Sequence, residues 1–237
     1  MKKFLSSRLQ KKRILTIGLG LVLTLGINTA TFASEPAMHL GGIGLAADVD
    51  VEETSIVTFE EVTLLTSSEL LALIESAPAH QDTRSAVPLS DRRITSSELE
   101  DWIEEYLALG INAFELEMVR LINIERENHN LNPLAINPNL MMAARFHSQE
   151  MVDLRFFNHR SPHHGRGIYR AEMFGHENIQ DHVWGVRENI ASGVRTPEQI
   201  VQAWMNSPSH RSAILGDTYL TIGVGTVQNS TTAKFGS

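Results

Sequence analysis

The sequence predicts an α+β fold, on three observations. Capped stripes of apolar residues at helical spacing recur between Thr66 and Trp204. One run near the C-terminus, residues 219–227, alternates instead. The two kinds of segment do not follow the regular βαβ order that builds a parallel sheet.

Residues 1–33 read as a signal peptide. Lys2, Lys3, Arg8, Lys11, Lys12 and Arg13 form a basic start with no acid among them. Residues 14–27 are apolar, and Thr31-Phe32-Ala33 ends in residues suited to cleavage. The apolar run is short of the roughly 20 residues a membrane span needs; an uncleaved N-terminal anchor is the competing reading. No second long apolar segment follows. The expectation is therefore a secreted, extracellular or cell-envelope-associated protein with no transmembrane span after signal removal.

Residues 34–108 read as an acidic linker or arm, without periodicity up to residue 65 and with one or two short amphipathic helices beyond it. Thr66-Ser67-Ser68-Glu69-Leu70 and Thr95-Ser96-Ser97-Glu98-Leu99 each place Thr three residues before Glu, the reciprocal cap that starts a helix. The second continues with Leu99, Trp102, Ile103, Tyr106 and Leu107 on one face, and Gly110 can stop it.

Residues 109–237 form the expected domain, long enough for a single buried core. Phe114, Met118, Leu121 and Ile122 mark one helix. Asn137-Pro138 opens a second, with Leu140, Ala144, His147 and Met151 as its stripe. Thr196-Pro197-Glu198-Gln199 opens a third, presenting Ile200, Val201 and Trp204. The strand at 219–227 presents Leu220, Ile222 and Val224, with residues 228–232 as its turn.

Charge is uneven. Residues 34–108 hold sixteen acids against three arginines, whereas residues 109–237 hold twelve acids and eleven bases. The acidity belongs to the arm, and the basic footprint of a nucleic-acid binder is missing, so no nucleic-acid partner is expected. The chain has no cysteine, so its core must hold it without disulfides. Lys234 is the one lysine after residue 33.

Eight of the ten histidines follow residue 128, which puts imidazole chemistry in the domain. His159, in Asn158-His159-Arg160-Ser161-Pro162, and His210, in Ser207-Pro208-Ser209-His210, stand in turn-like contexts where a side chain can face a cleft. Glu188 lies between them in Arg187-Glu188-Asn189-Ile190-Ala191. A partly buried carboxylate beside two imidazoles can hold a divalent ion or close a hydrogen-bonded cluster. The plainer reading has both histidines satisfying loop backbone while Glu188 pairs with Arg187 or Arg211; spacing alone leaves both open.

Four further features are read structurally or conditionally. His147 lies on an apolar stripe and reads as a satisfied core or cleft-wall histidine. His163-His164 reads as part of an exposed loop. His176 and His182 are spaced too widely to share one helix face as in a zinc protease. Ser161 with His159 or His210 and Glu188 supplies the parts of a Ser-His-Glu hydrolase, but without a nucleophile elbow.

Taken in order, His159-Arg160-Ser161-Pro162, Glu188-Asn189-Ile190-Ala191 and Trp204-Met205-Asn206-Ser207-Pro208-Ser209-His210-Arg211 resemble the CAP superfamily (cysteine-rich secretory, antigen 5 and pathogenesis-related proteins; the SCP domain), in its bacterial cysteine-free branch. The resemblance implies a three-layer α-β-α sandwich whose central cleft is lined by two His and two Glu. His159, His210 and Glu188 match three of these, and Ser207 stands where animal and plant members carry the second Glu. It implies a divalent metal, zinc or magnesium, on His159, Glu188 and His210, completed by water or ligand, or else no cofactor. Asn189 and Ser207 complete the expected cleft contacts. The terminal Ala233-Lys234-Phe235-Gly236 is a weaker match.

The functional expectation is an exported, non-catalytic module that binds a lipid-like or other small molecule, or a cell-envelope component, between apolar walls. Two alternatives stand beside it. One is a metal-assisted or Ser161-based hydrolase of peptides or envelope material. The other is a structural envelope protein whose arm makes the interactions.

Overall fold

The structure, a computed structural model, describes residues 63–77, 84–86, 89, 92–176, 185–193 and 195–237. The expected signal peptide, the expected arm up to residue 62 and His182 lie outside these residues. The elements are α1 (Ser67–Ser76), α2 (Ser96–Leu109), α3 (Ala113–Asn128), β1 (Ala135–Ile136), α4 (Pro138–Asp153), α5 (Gly167–Met173), β2 (Val186–Ser192), α6 (Pro197–Met205), α7 (Pro208–Ile214), β3 (Thr221–Val227) and β4 (Ser230–Gly236). The four strands form one sheet in the order β1-β3-β4-β2, with β1 parallel to β3 and the other pairs antiparallel.

The helix starts follow the capping residues. Thr66 and Thr95 each exchange hydrogen bonds with the Glu three residues on, and Gly110, at φ 60°, ends α2. The Asn137 side chain accepts from the Asn139 and Leu140 amides, and Thr196 pairs reciprocally with Gln199. Such caps are worth about 1 kcal/mol each.

Two missing side chains set the spacing between sheet and helix. A Cβ on Gly223 would sit 2.1 Å from the Met141 backbone nitrogen, and one on Gly225 would sit 2.1 Å from that of Arg145. Helix α4 therefore lies directly on the backbone of β3. Ile222 and Val224 point the other way, toward the layer of α3 with α6 and α7, while α5 joins α4. Helices on both faces make the α-β-α sandwich.

The strand differs from its expected alternation. Leu220 precedes it and is 63% exposed, and the small residues on the alternate face are glycines packed under a helix rather than solvent-facing positions. The turn is also tighter than residues 228–232. Only Gln228 and Asn229 turn, and Ser230 already starts β4.

Helix α2 buries Trp102 and Tyr106 completely. The Trp102 ring meets Tyr106 edge-on at 5.2 Å and Phe146 at 4.8 Å, a contribution of about 2 kcal/mol or more per ring. Leu107, expected on the same stripe, stays exposed. Leu70 carries α1 into the same core, so both capped helices share it with the elements after residue 109. A buried pair, Arg145 with Glu115, locks the junction. Arg145 also donates to the carbonyls of Tyr106 and Gly110, and Glu115 accepts from the Thr226 amide. Among the described residues no helix is long and apolar enough to cross a membrane.

Candidate ligand-binding cleft

Register builds the floor of the site. Gly223 on β3 stands opposite Lys234 on β4, and Lys234 stands opposite Glu188 on β2, so the three form one row on the α4 face. Lys234 Nζ donates to Glu188 Oε2 at 2.5 Å and to the Gly167 carbonyl at 3.2 Å. Arg170, on α5, donates to both Glu188 oxygens, at 3.1 and 2.9 Å. Lys234 and Arg170 are fully buried, and the Glu188 side chain is 6% exposed. Gly167 makes room for this pair, since a Cβ there would lie 2.8 Å from Glu188 Oε2 and 3.1 Å from Lys234 Nζ.

A second buried acid lies behind the first. Glu150, on α4, accepts from Ser161 Oγ at 2.5 Å, from His164 Nδ1 at 2.6 Å and from His147 Nδ1 at 3.1 Å. His164 Nε2 accepts from the Ile94 amide at 3.1 Å, which fixes its proton on Nδ1. His164 is thus a buried clasp between Glu150 and the approach to α2, not part of an exposed loop; the carboxylate and the Phe146 ring draw it inward. His147 is a satisfied core histidine, as its stripe implies, with Nε2 3.0 Å from the Asn158 carbonyl. It also reaches within 3.7 Å of Glu188 Oε1, and so links the two acids.

His159, Glu188 and His210 converge on one cleft of about 400 Å³ at the outer edge of β2. His159 Nδ1 donates to Glu188 Oε1 at 3.1 Å, and its ring is 53% exposed, leaving Nε2 free toward the cleft. His210 sits in the first turn of α7 rather than in a turn, because Pro208 opens a helix. Asn189, buried beside them, donates from Nδ2 to the His210 carbonyl at 3.0 Å and fixes that helix against the edge strand. The pairing of Glu188 with Arg187 or Arg211 does not form. Adjacent strand residues point to opposite faces, and Arg187 reaches Ser212 instead.

Other expected positions lie elsewhere. Ser207 stands at the N-cap position of α7 without a side-chain capping bond, its Oγ 3.4 Å from Ser209 Oγ, and does not line the cleft. Ser161 is buried with its hydroxyl committed to Glu150, and it accepts from the His163 and His164 amides. That position does not present a nucleophile to the cleft. The walls are not apolar: among the described lining residues only Ile168 and Val186 bring large apolar side chains. Trp204 packs in the core and donates to the Ile190 carbonyl.

The electrostatics follow from burial and pairing. Burial pushes the Glu188 carboxyl up, but Lys234, His147 and Arg170 outweigh it and hold the group well below the ordinary carboxylate range. Burial likewise opposes ionisation of Glu150, and the bonds from His147 and His164 with the Arg170 charge bring it down to about 2. Lys234 is lowered to about 8 by burial, with Glu188 holding it up against a further fall. Burial also lowers His147, opposed by Glu188 and Glu150. His210 is lowered by burial and then by repulsion from His159.

These groups do not fit a divalent ion. Both Glu188 oxygens already serve Arg170, Lys234 and His159, and two buried cations stand beside the carboxylate a dication would use. Among the described residues no three His, Cys, Asp or Glu side chains are grouped to hold a metal.

A family model described as "CAP: Cysteine-rich secretory protein family" matches residues 119–236. The uncharacterized protein YkwD of Bacillus subtilis (strain 168) is 37% identical over 155 residues, covering 65% of this chain and 56% of its own length. The uncharacterized membrane protein YlbC of the same organism is 31% identical over 121 residues, 51% of this chain and 34% of its own length. The chain thus spans well under two thirds of either relative. Among solved structures, an extracellular protein containing an SCP domain from Bacillus anthracis str. Ames is similar at 27% identity and a TM-score of 0.49, covering 61% of this chain and 44% of that one. An outer surface protein from Borrelia burgdorferi is similar at 25% identity and a TM-score of 0.43, covering 51% and 89% respectively.

Proposed function

Through residues 119–236 this chain belongs to the CAP family of cysteine-rich secretory proteins, and from that premise we propose that it is an exported, non-catalytic module that binds a small ligand in the cleft of His159, Glu188 and His210. One observation carries the reading. Three side chains distant in sequence converge on one cleft, and their acid is pinned from behind by two buried cations. Such a floor is preorganised for holding a ligand. It is poorly arranged for turnover: Glu188 stays ionised, and Ser161 spends its hydroxyl on Glu150. Export is supported by the basic-then-apolar start and cleavage motif of residues 1–33.

The test uses the secreted protein without its signal. Ligand-observed NMR against a panel of small polar and lipid-like molecules is compared between wild type and the His159→Ala/His210→Ala double variant. Selective hits that compete with one another and vanish in the variant are expected. Hits that persist in the variant, or ester or peptide hydrolysis lost with Glu188→Ala, would overturn the reading.

A further inference from the structure

The charge around the cleft divides into two layers. Beneath the floor, the two acids Glu150 and Glu188 are matched by the two cations Arg170 and Lys234. Around the rim, Arg160, Arg166 and Arg187 line the cleft. None of the three forms an ion pair among the described residues, and Arg187 makes only a long contact with Ser212. The rim field is therefore unopposed by the one carboxylate in the cleft, because that carboxylate is already neutralised from below. It also stands out against the chain, whose net charge is −8. The cationic surface continues past the cleft, since Arg160 also borders an adjoining hollow that adds Arg93.

We propose that the cleft is an oxyanion site, in which Arg160, Arg166 and Arg187 receive the phosphate or carboxylate group of the ligand. Guanidinium forks match both groups with paired N–H donors. His159 Nε2, the Ser209 hydroxyl and His210 stand in the same cleft to complete the contacts. A protein cleft that keeps its acid paired from below and its arginines at the rim selects against cations and for anions. This inference rests on the cleft being a binding site, and it adds the sign and chemistry of what binds.

Inorganic phosphate, acetate, and vesicles of phosphatidylglycerol or phosphatidylcholine are the probes, applied to the secreted protein. Titration by NMR and by vesicle co-sedimentation is compared among wild type, single Arg→Gln variants at 160, 166 and 187, the triple variant, and Arg195→Gln, an exposed arginine outside the cleft. Saturable phosphate or acetate binding is expected, weakened about tenfold by each rim substitution, abolished in the triple variant and unchanged in Arg195→Gln. Phosphatidylglycerol vesicles retained without any free-anion binding, and lost in the triple variant, would identify a lipid headgroup as the source of the oxyanion. No anion binding by any probe, or equal weakening by Arg195→Gln, overturns the proposal. If neutral molecules still bind and are lost in His159→Ala/His210→Ala, only the oxyanion assignment has failed; if nothing binds, the cleft reading has failed with it.

Discussion

Removing the charge of Glu188 without changing its shape isolates the central interaction. In Glu188→Gln, Lys234 and Arg170 remain buried but lose the anion that both now contact, at 2.5 Å and 2.9 Å. Breaking one side of a buried ion pair costs about 3–5 kcal/mol, because the surviving buried charge loses its counter-ion. For a domain of this size that corresponds to a fall of about 6–20 °C in Tm. Lys234→Met should cost less, since Arg170 and His159 still hold Glu188. The double variant Glu188→Gln/Lys234→Met removes one of the orphaned cations and should be more stable than Glu188→Gln alone, a coupling of at least about 1 kcal/mol. Thermal and urea unfolding of the four proteins closes the cycle. A cost below about 1 kcal/mol for Glu188→Gln, or additive single effects, would refute the idea that the acid is neutralised from beneath.

Two more outcomes follow from the same geometry. Because Lys234 is the one lysine after residue 33, lysine-selective ¹³C labelling of protein beginning at residue 34 reports it alone, and its midpoint should lie near 8 rather than the ordinary 10.5. A base depressed by folding binds fewer protons in the native state between those two values, so its contribution makes stability rise with pH through that window, by at most about 1.4 kcal/mol per pH unit; a midpoint near 10.5 would contradict its burial. Gly225→Ala would drive a methyl into the α4 backbone 2.1 Å away, and the overpacking should cost about 1–3 kcal/mol or more by urea unfolding; an unchanged midpoint would mean that helix and strand are not in direct contact.

Local signals were legible where they had local causes. Thr66, Thr95, Asn137 and Thr196 announce helices because a cap is made with residues two or three positions away. The sandwich layering and the meeting of His159, Glu188 and His210 came from the resemblance, not from spacing. Helices α5 and α7 are seven residues each, too short to show a period. Strand β4 is buried along its whole length, so it carries no alternation. The cations beneath Glu188 were missed for a related reason: Lys234 and Arg170 meet the acid through strand register and a packed helix, separated from it by 46 and 18 residues. One clue to Lys234 was present, a single lysine set between Ala233 and Phe235. His164 shows the opposite difficulty, since its neighbour His163 and the turn-rich context suggested solvent while a distant carboxylate drew it inside.

The close seating of α4 on Gly223 and Gly225 has a bearing on how this molecule can diversify. The helix contributes His147 and Glu150, and the neighbouring strands contribute Lys234 and Glu188, so the base of the hollow is a single packed and hydrogen-bonded block. Arg160 and Arg166 sit on the connection ahead of α5, and His210 on a short helix, outside that block. Under the proposed reading, recognition is retargeted by exchanging a handful of lip residues while the base of the hollow stays in place.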